Sequence, residues 1–487
     1  MSDRSQRHAA PATNETRREF LVRGGQVAAA AATFSGTLRA ADEKAPPADP
    51  AAKAPAASPA ANAAVNPGGS DEIRLALIGC GGRGGGAAAD ALSVTAAPLR
   101  MVAMADVFRD RIDIVNRSLG ERFKERVDVP AERSFTGFEA YKQAIDCLRP
   151  GDIAICATPV AFRAPHFAYA IEKGVHVFME KPISMDGPST RRIIELAGRA
   201  DAKKLKVGVG LMCRHNSGRQ DLFSRLKDGL AGDIVNLYGY RMHDPVHNLD
   251  LAPGRGEMGE LAWQVKRFHN FLWASGGIFS DYYVHHIDEA CWMKDAWPVQ
   301  AEATGGRHMQ GKINDQNFDN YAVEYTFADG AKFFYGGRTI PKCEKKFGVY
   351  GQGTKGAFVI SARGHHPAKS AIYKGQSIEK DAVVWAAGQP ETNPYRQEWE
   401  DLVAAIIADK PYNETVRGAQ ASLVTAMGRF AAHTGRTVTY QEMLESPDDL
   451  AAGVELLTDS SPPPLVADAE GRYPVPMPGK YKFEYRG

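Results

Sequence analysis

Short apolar segments alternate with stretches of helical character between residues 71 and 214. The first segment, residues 73–78, continues into a glycine-rich turn and an Ala-rich stretch that ends at Leu92. Further apolar segments follow at 99–105, 152–157, 176–179 and 205–211, with helical stretches at 138–148 and 164–173. Apolar strands separated by helices are typical of a parallel sheet covered on both faces. We therefore predict an α/β domain over residues 71–214.

The pattern changes after this region, because strand candidates then follow one another through looser connections. They lie at 234–242, 300–305, 321–327, 332–337, 346–350 and 357–360. Turn signals such as Asp329-Gly330 separate them, which favours a large, mostly antiparallel sheet. Residues 215–450 are therefore predicted to form an α+β domain, in which a helix containing Asp281 covers one face of the sheet.

The turn after the first strand has the pattern GxGxxG, and the second strand ends in an acid. Gly79 permits the tight turn, Gly81 lets the backbone approach a pyrophosphate, and Gly84 lets the following helix pack closely. Strand, turn, helix, strand and terminal acid together make up the dinucleotide-binding pattern of a Rossmann domain. The expected pyrophosphate contacts come from the turn and the start of the helix, namely Gly79, Gly81, Gly82, Arg83 and Gly84.

The acid at the end of the second strand bears on which dinucleotide is bound. Asp106 is 22 residues past Gly84, where a carboxylate accepts hydrogen bonds from the adenosine ribose. A carboxylate repels a 2′-phosphate, so NAD is expected and NADP is disfavoured. Arg109 and Arg111 nearby weaken that preference.

Other polar residues follow the later strands of the predicted parallel sheet. Since the carboxyl ends of parallel strands share one edge, we expect these residues to lie beside the cofactor. The predicted contacts are Thr158, Pro159, His166, Glu180 and Lys181.

Three ordered motifs resemble the Gfo/Idh/MocA oxidoreductase family. The glycine turn is followed roughly a hundred residues later by Glu180-Lys181-Pro182. A GG-x₃-D-x₃-H segment then runs from Gly276 to His285, and Pro394-Tyr395 resembles the start of the family's closing helices. The likeness extends from about residue 73 to about residue 444.

The resemblance implies chemistry on sugars, polyols or their derivatives, with Lys181, Asp281 and His285 as the catalytic set. It also implies that the outer face of the large sheet is an oligomer interface, so that the protein is a homodimer or homotetramer. Two functions remain open. One is net hydride transfer between a sugar-like alcohol and NAD(P), and the other is a redox-neutral glycosidase, lyase or epimerase reaction that oxidises a carbon transiently. The intact motifs argue against a non-enzymatic cofactor-binding protein.

Oxidation of a secondary alcohol needs a proton acceptor and a cation that stabilises the developing alkoxide. We assign His285 as the general base, Lys181 as the stabilising cation and Asp281 as an orienting or substrate-binding group, although the sequence also allows Lys181 as the base. Asp281 and Asp288 lie on the helix face of His285, so they are expected to orient the imidazole and make it more basic. Arg214 is an equally balanced candidate for substrate binding or for the surface. No metal site is expected.

The composition of the chain limits which kinds of binding partner are expected. A formal net charge of +1 gives no reason to expect nucleic acid or an anionic membrane, and a small molecule is the expected partner. The cysteines include no CxxC pair, so a metal cluster or disulfide framework is not expected. No later apolar run reaches the roughly 20 residues that a membrane-spanning helix requires.

The N-terminus resembles a twin-arginine export signal. Arg17-Arg18 precedes Phe20-Leu21 and a weakly apolar Ala-rich run, so residues 1–41 are predicted to be a signal peptide of a periplasmic protein. Residues 42–70 are Ala/Pro-rich and are predicted to be a linker. Residues 451–487 are Pro-rich with scattered aromatic residues, which predicts an extended strap packed on the surface.

Overall fold

The structure, a computed structural model, describes residues 72–245, 258–308 and 315–486. The predicted signal and the linker lie outside the described residues. In the first domain the elements follow the order β1 (Ile73–Ile78), α1 (Gly82–Leu92), β2 (Leu99–Asp106), α2 (Arg109–Phe123), β3 (Ser134–Thr136), α3 (Ala140–Asp146), β4 (Ile153–Cys156), α4 (Arg163–Lys173), β5 (His176–Met179), α5 (Gly187–Ala202) and β6 (Val207–Val209). The six strands pair in parallel in the order β3-β2-β1-β4-β5-β6, which confirms the predicted Rossmann sheet.

The second sheet is formed by later elements of the chain. These are α6 (Ser217–Lys227), β7 (Ile234–Met242), α7 (Glu260–Lys266), α8 (Leu272–Ser275), α9 (Gly277–Lys294), β8 (Gln300–Gly306), β9 (Asn320–Thr326), β10 (Lys332–Arg338), β11 (Lys346–Gly353), β12 (Ala357–Ser361), β13 (Ala371–Tyr373), β14 (Val383–Ala386), α10 (Pro394–Ile407), α11 (Thr415–Thr434), β15 (Val438–Thr439) and α12 (Tyr440–Glu445). Nine strands pair in the order β14-β13-β12-β11-β7-β10-β9-β8-β15. Only the β7–β10 pair is parallel, so the prediction of a mostly antiparallel sheet is confirmed.

One face of this sheet packs on helices, as predicted for the helix containing Asp281. In β9 and β10 buried and more exposed residues alternate, so every second side chain points into the core. Helix α9 packs against the middle of the sheet and α11 against its β8–β9 side, and both contribute to one apolar core. Glycines permit close contact here, since a Cβ at Gly337 would lie 2.3 Å from the Tyr283 ring.

The helices after the sheet return to the Rossmann domain. Trp399 of α10 is fully buried and stacks on Phe178 of β5, with ring centroids 4.3 Å apart. The following strap also packs on the fold, because Tyr473 stacks on Trp263 and Glu484 is buried. None of the helices in the described residues is long and apolar enough to cross a membrane.

Candidate active site

A cavity of about 1060 Å³ lies along the carboxyl ends of the Rossmann strands and extends to α9. Most of the residues predicted from the sequence line it, although they come from distant parts of the chain. They are Gly79, Gly81, Gly82, Arg83, Gly84, Asp106, Thr158, Pro159, His166, Glu180, Lys181, Asp281 and His285. One cavity thus joins the glycine turn with the motif on α9, although the two are far apart in the sequence.

The glycine turn has the geometry of a dinucleotide cradle. Gly79 has φ +97°, and a Cβ there would lie 2.7 Å from the Ala157 backbone. A Cβ at Gly84 would lie 1.9 Å from the Gly79 carbonyl oxygen, so α1 can approach the turn only without a side chain. By contrast, a Cβ at Gly82 would meet nothing within 4 Å. This open space at the N-terminus of α1 fits a pyrophosphate.

The Asp106 carboxylate is fixed at the end of β2. It accepts hydrogen bonds from the backbone N–H groups of Cys80 at 2.7 Å and Phe108 at 2.9 Å. Burial nevertheless raises the pKa of Asp106, and Arg111 opposes that shift. Both Asp106 and Arg111 line the cavity, so the ribose would be bound between an acid and an arginine.

Two polar pairs connect the predicted cofactor contacts. Arg83 Nε lies 2.9 Å from Glu180 Oε1, which ties the glycine turn to the segment that carries Lys181. Thr158 Oγ1 lies 3.2 Å from His166 Nδ1. Burial, reinforced by Arg163, lowers the pKa of His166 to about 3, so this imidazole is neutral at physiological pH.

Lys181, Asp281 and His269 form a close group. Lys181 Nζ donates to the Asp281 backbone oxygen at 2.5 Å and to Asp281 Oδ1 at 3.1 Å. His269 Nε2 lies 2.9 Å from Asp281 Oδ2. Burial alone would raise the pKa of Asp281, but Lys181 and His269 outweigh it and hold that pKa well below its usual range. Asp281 is therefore an anion that positions Lys181.

The structure corrects the expected surroundings of His285. Asp281 engages Lys181 and His269, and Asp288 engages Arg214, so the expectation of an imidazole between two carboxylates was wrong. The nearest aromatic neighbour of His285 is instead the His365 ring, with centroids 4.6 Å apart. Burial, reinforced by His365 and Lys181, lowers the pKa of His285 well below its ordinary value, opposite to the predicted direction. His285 is neutral and can accept a proton.

Arg214 is not among the residues that line the cavity. Its Nε and Nη2 donate to the Asp288 carboxylate at 2.9 and 2.8 Å, and its guanidinium lies 5.3 Å from the Trp292 ring centroid. Neither alternative considered for Arg214 describes this position, because the side chain is largely buried in an internal ion pair.

The cavity residues that were not predicted from the sequence include Arg241, His269 and His365. Arg241 is the last residue but one of β7, and a cation near a predicted strand end was the available signal. His269 precedes α8 and His365 follows β12, and no spacing relates either of them to the motif on α9. Their proximity is a product of tertiary packing.

Cys213, Glu289 and His365 are the described residues that could provide a set of metal ligands, with ligand atoms within 4.8 Å of one another. Arg219 donates to Glu289 at 3.2 Å and Arg241 Nη1 donates to His365 Nε2 at 3.3 Å. Since His365 Nε2 accepts this bond, the proton of the neutral ring is on Nδ1, which faces Cys213 and Glu289. Hydrogen bonds thus account for the close approach of these three side chains.

Comparison with known proteins agrees with this geometry. Residues 73–211 match the Gfo/Idh/MocA family model, described as "Oxidoreductase family, NAD-binding Rossmann fold". These residues are therefore similar to the NAD-binding Rossmann domain of that family. The match covers β1 to β6 and includes the glycine turn, Asp106 and Lys181.

Sequence relatives include dehydrogenases and glycosidases. Inositol 2-dehydrogenase of Corynebacterium glutamicum is 29% identical over 146 residues, which are 28% of this chain and 43% of that protein. Inositol 2-dehydrogenase of Rhizobium meliloti is 24% identical over 69% of this chain and 88% of its own length. A glycosyl hydrolase family 109 protein of Shewanella pealeana is 26% identical over 54% of this chain and 53% of its own.

The fold of both domains resembles solved structures. Scyllo-inositol dehydrogenase from Lactobacillus casei, solved with NAD(H) and scyllo-inositol, superposes with a TM-score of 0.55 at 19% identity. The superposition covers 76% of this chain and 99% of that one. The likeness therefore includes the second domain as well as the Rossmann domain.

Proposed function

We propose that this protein is an NAD(P)-dependent oxidoreductase that acts on a secondary hydroxyl of a sugar, polyol or glycoside. One observation carries the proposal. Lys181, Asp281 and His285 line the same cavity as the glycine turn, so alcohol chemistry and dinucleotide binding share one site. Similarity to two inositol 2-dehydrogenases supports a polyol-like substrate.

In this proposal each residue of the site has a distinct role. Lys181 has three N–H donors, and within the described residues Asp281 accepts from two of them, which leaves one for the substrate oxygen. The neutral His285 accepts the hydroxyl proton, and Lys181 stabilises the developing negative charge on oxygen. His269 helps to hold Asp281, and Asp281 holds Lys181 in place. The nicotinamide, when bound, supplies the acceptor for the hydride.

NAD is the proposed cofactor, with NADP less favoured. Replacement of Asp106 by alanine is expected to weaken binding of NAD more than binding of NADP, because the lost carboxylate both binds the ribose and repels a 2′-phosphate. Calorimetry of cofactor-free protein with each dinucleotide measures the change. Equal losses for the two cofactors would contradict this role for Asp106, and binding of neither to folded wild-type protein would overturn the cofactor assignment.

A second function is favoured by the similarity to the family 109 glycosyl hydrolase. Here the same residues would act with a bound nicotinamide, which would accept a hydride from a sugar carbon and later return it, while water would replace the departing aglycone, so that there is no net redox change. The two proposals use one active site, so the reaction itself must distinguish them.

A substrate panel separates the two functions. With sugars and polyols, the oxidoreductase proposal expects nicotinamide absorbance to rise with turnover. With aryl glycosides, the redox-neutral proposal expects release of the aryl alcohol and no lasting change in absorbance. If no substrate were turned over in the presence of either cofactor, both proposals would be contradicted.

We further propose export through the twin-arginine route, with the cofactor retained through the catalytic cycle. Arg17-Arg18 together with a dinucleotide-binding domain motivates this, because that route carries folded proteins. Free NAD is scarce outside the cytoplasm, so retention would require slow dissociation. It would also require the cofactor to be reset in place, either by a second substrate or by return of the hydride to the first. Protein from the native host should release NAD(H) only on denaturation, and replacement of both arginines by lysine should retain the precursor in the cytoplasm.

The oligomer is proposed to be a homodimer or homotetramer formed through the outer face of the large sheet. On this face Tyr238 and Phe334 stack with centroids 5.7 Å apart, and Val235 and Phe334 remain exposed. Exposed apolar side chains on a broad sheet favour a second copy as cover. Light scattering of the purified protein should give a mass of two or four chains, and a single-chain mass would contradict the assembly.

A further inference from the structure

Three arginines in or near β7 and α6 approach the helix that carries His285, and one of them differs from the others. Arg214 pairs with Asp288 at 2.8 Å, and Arg219 pairs with Glu289 at 3.2 Å. Arg241 forms no ion pair with any carboxylate of the described residues, although it lines the cavity.

Arg241 is held rigidly by neutral groups. Its Nη1 donates to the Tyr282 backbone oxygen at 2.6 Å and to His365 Nε2 at 3.3 Å. Its guanidinium carbon lies 5.0 Å from the Tyr282 ring centroid and 4.8 Å from that of Phe347. Its Nε is buried and has no hydrogen-bond partner within the described ranges. The guanidinium is thus fixed in position while part of its donor capacity is unused.

The surrounding residues do not neutralise this charge. Asp281 is already bound by Lys181 and His269, and Glu289 by Arg219. Burial lowers the pKa of His365 to about 4, and Arg241 contributes to that shift, so the neighbouring ring is neutral. An arginine that is half-buried beside neutral groups is costly unless an anion binds to it.

The position of Arg241 is that of a substrate contact. Lys181 Nζ lies 5.8 Å from the Tyr282 ring centroid, so the proposed catalytic lysine and Arg241 contact the same ring. His365, which accepts a hydrogen bond from Arg241, is also the aromatic neighbour of His285. A sugar whose hydroxyl reaches Lys181 and His285 would therefore extend toward the guanidinium.

We propose that Arg241 binds a carboxylate of the substrate, and that the substrate is a sugar acid of the uronic or aldonic class. The proposal rests on the oxidoreductase function and specifies its substrate. A fixed, planar guanidinium matches the geometry of a carboxylate, whereas a neutral hydroxyl would leave the charge uncompensated. Lys181 and His285 keep their roles at the reacting carbon.

The test compares D-glucuronate with D-glucose, which differ at one carbon. Binding of each to the full-length protein saturated with NADH is measured by calorimetry. We expect glucuronate to bind about ten- to a hundredfold more tightly, as a charge-assisted hydrogen bond would give. In Arg241→Gln this preference should disappear while NADH affinity is retained. Arg241→Lys should keep a reduced preference, because the charge remains but the planar fork is lost.

Arg436→Gln is the matched control, because Arg436 is exposed and does not line the cavity. Its preference for glucuronate should equal that of the wild type. Equal binding of the two sugars, binding of neither, or a preference that survives in Arg241→Gln would overturn the proposal. These results would leave the oxidoreductase function intact if neutral polyols still reduce NAD, whereas loss of all turnover and of NADH binding would reject the function itself.

Discussion

Replacement of Lys181 or of His285 by alanine is expected to lower turnover on the order of 10²-fold or more, with cofactor affinity changed only a few-fold. In the proposed mechanism the lysine provides the cation next to the reacting oxygen, and the histidine provides the neutral acceptor for its proton. Neither interaction is available from water in the same geometry, so the loss falls on the chemical step. Steady-state kinetics with the best substrate of the panel, together with calorimetry of NAD binding, separates the two effects.

Lys142→Ala is a suitable control for this experiment. Lys142 lies on the surface in an exposed pair with Glu139, and it does not line the cavity. Its turnover should match that of the wild type. Near-normal turnover of either Lys181→Ala or His285→Ala would show that the role assigned to that residue is wrong. Added imidazole should raise the turnover of His285→Ala and leave that of Lys181→Ala unchanged, which identifies the proton acceptor.

Replacement of Glu484 by glutamine is expected to destabilise the protein by about 3–5 kcal/mol, because it leaves a fully buried arginine without its anion. Arg429 Nε donates to Glu484 Oε1 at 2.8 Å, and neither side chain is more than 2% exposed. Arg429 also donates to the Gly276 backbone oxygen at 3.0 Å and to the Met185 backbone oxygen at 2.8 Å.

These bonds connect the strap with both segments that carry the proposed catalytic residues. Met185 follows Lys181 by four residues, and Gly276 is the N-cap of α9, the helix that carries Asp281 and His285. We therefore expect Glu484→Gln to lower kcat more than it weakens NAD binding. Arg429→Lys keeps a positive charge but cannot make the same set of bonds, so its stability should be intermediate.

Urea unfolding measures the change in stability, with Glu470→Gln as the control. Glu470 belongs to the same strap and pairs with Arg472, but both side chains of that pair are more than 60% exposed. Exposed ion pairs contribute little, so no clear change is expected. Unfolding free energies of Glu484→Gln and the wild type that agree within about 1 kcal/mol would contradict this role for the buried pair.

Local patterns in the sequence accounted for the parallel sheet and for much of the cavity wall. Strand β1, the turn at Gly79 and Asp106 at the end of β2 follow one another along the chain, so their joint geometry is encoded locally. Lys181 could be placed at the same edge because parallel strands present their carboxyl ends together. Spacing on one helix related Asp281 to His285 without further information.

The partners of these residues could not be predicted in the same way. Sequence spacing suggested that Asp281 and Asp288 would flank His285. The helix packs against several other segments, however, and each acid pairs with a cation from one of them. Lys181 and His269 bind Asp281, while Arg214 binds Asp288. As a result, the pKa of His285 is lowered and not raised as predicted, because burial acts without a nearby carboxylate to oppose it.

The sequence by itself thus determined the two kinds of sheet and the glycine turn, and it provided Lys181, Asp281 and His285 as candidate site residues, since periodicity and short motifs are local properties. Only the tertiary structure decided that Arg241 and His365 meet at the cavity and that Glu484 reaches Arg429. These residues are separated by many tens of positions, and their contacts depend on how α9, α11 and the strap pack together. Side-chain pairing in a buried site follows the competition among all neighbours, which no local pattern records.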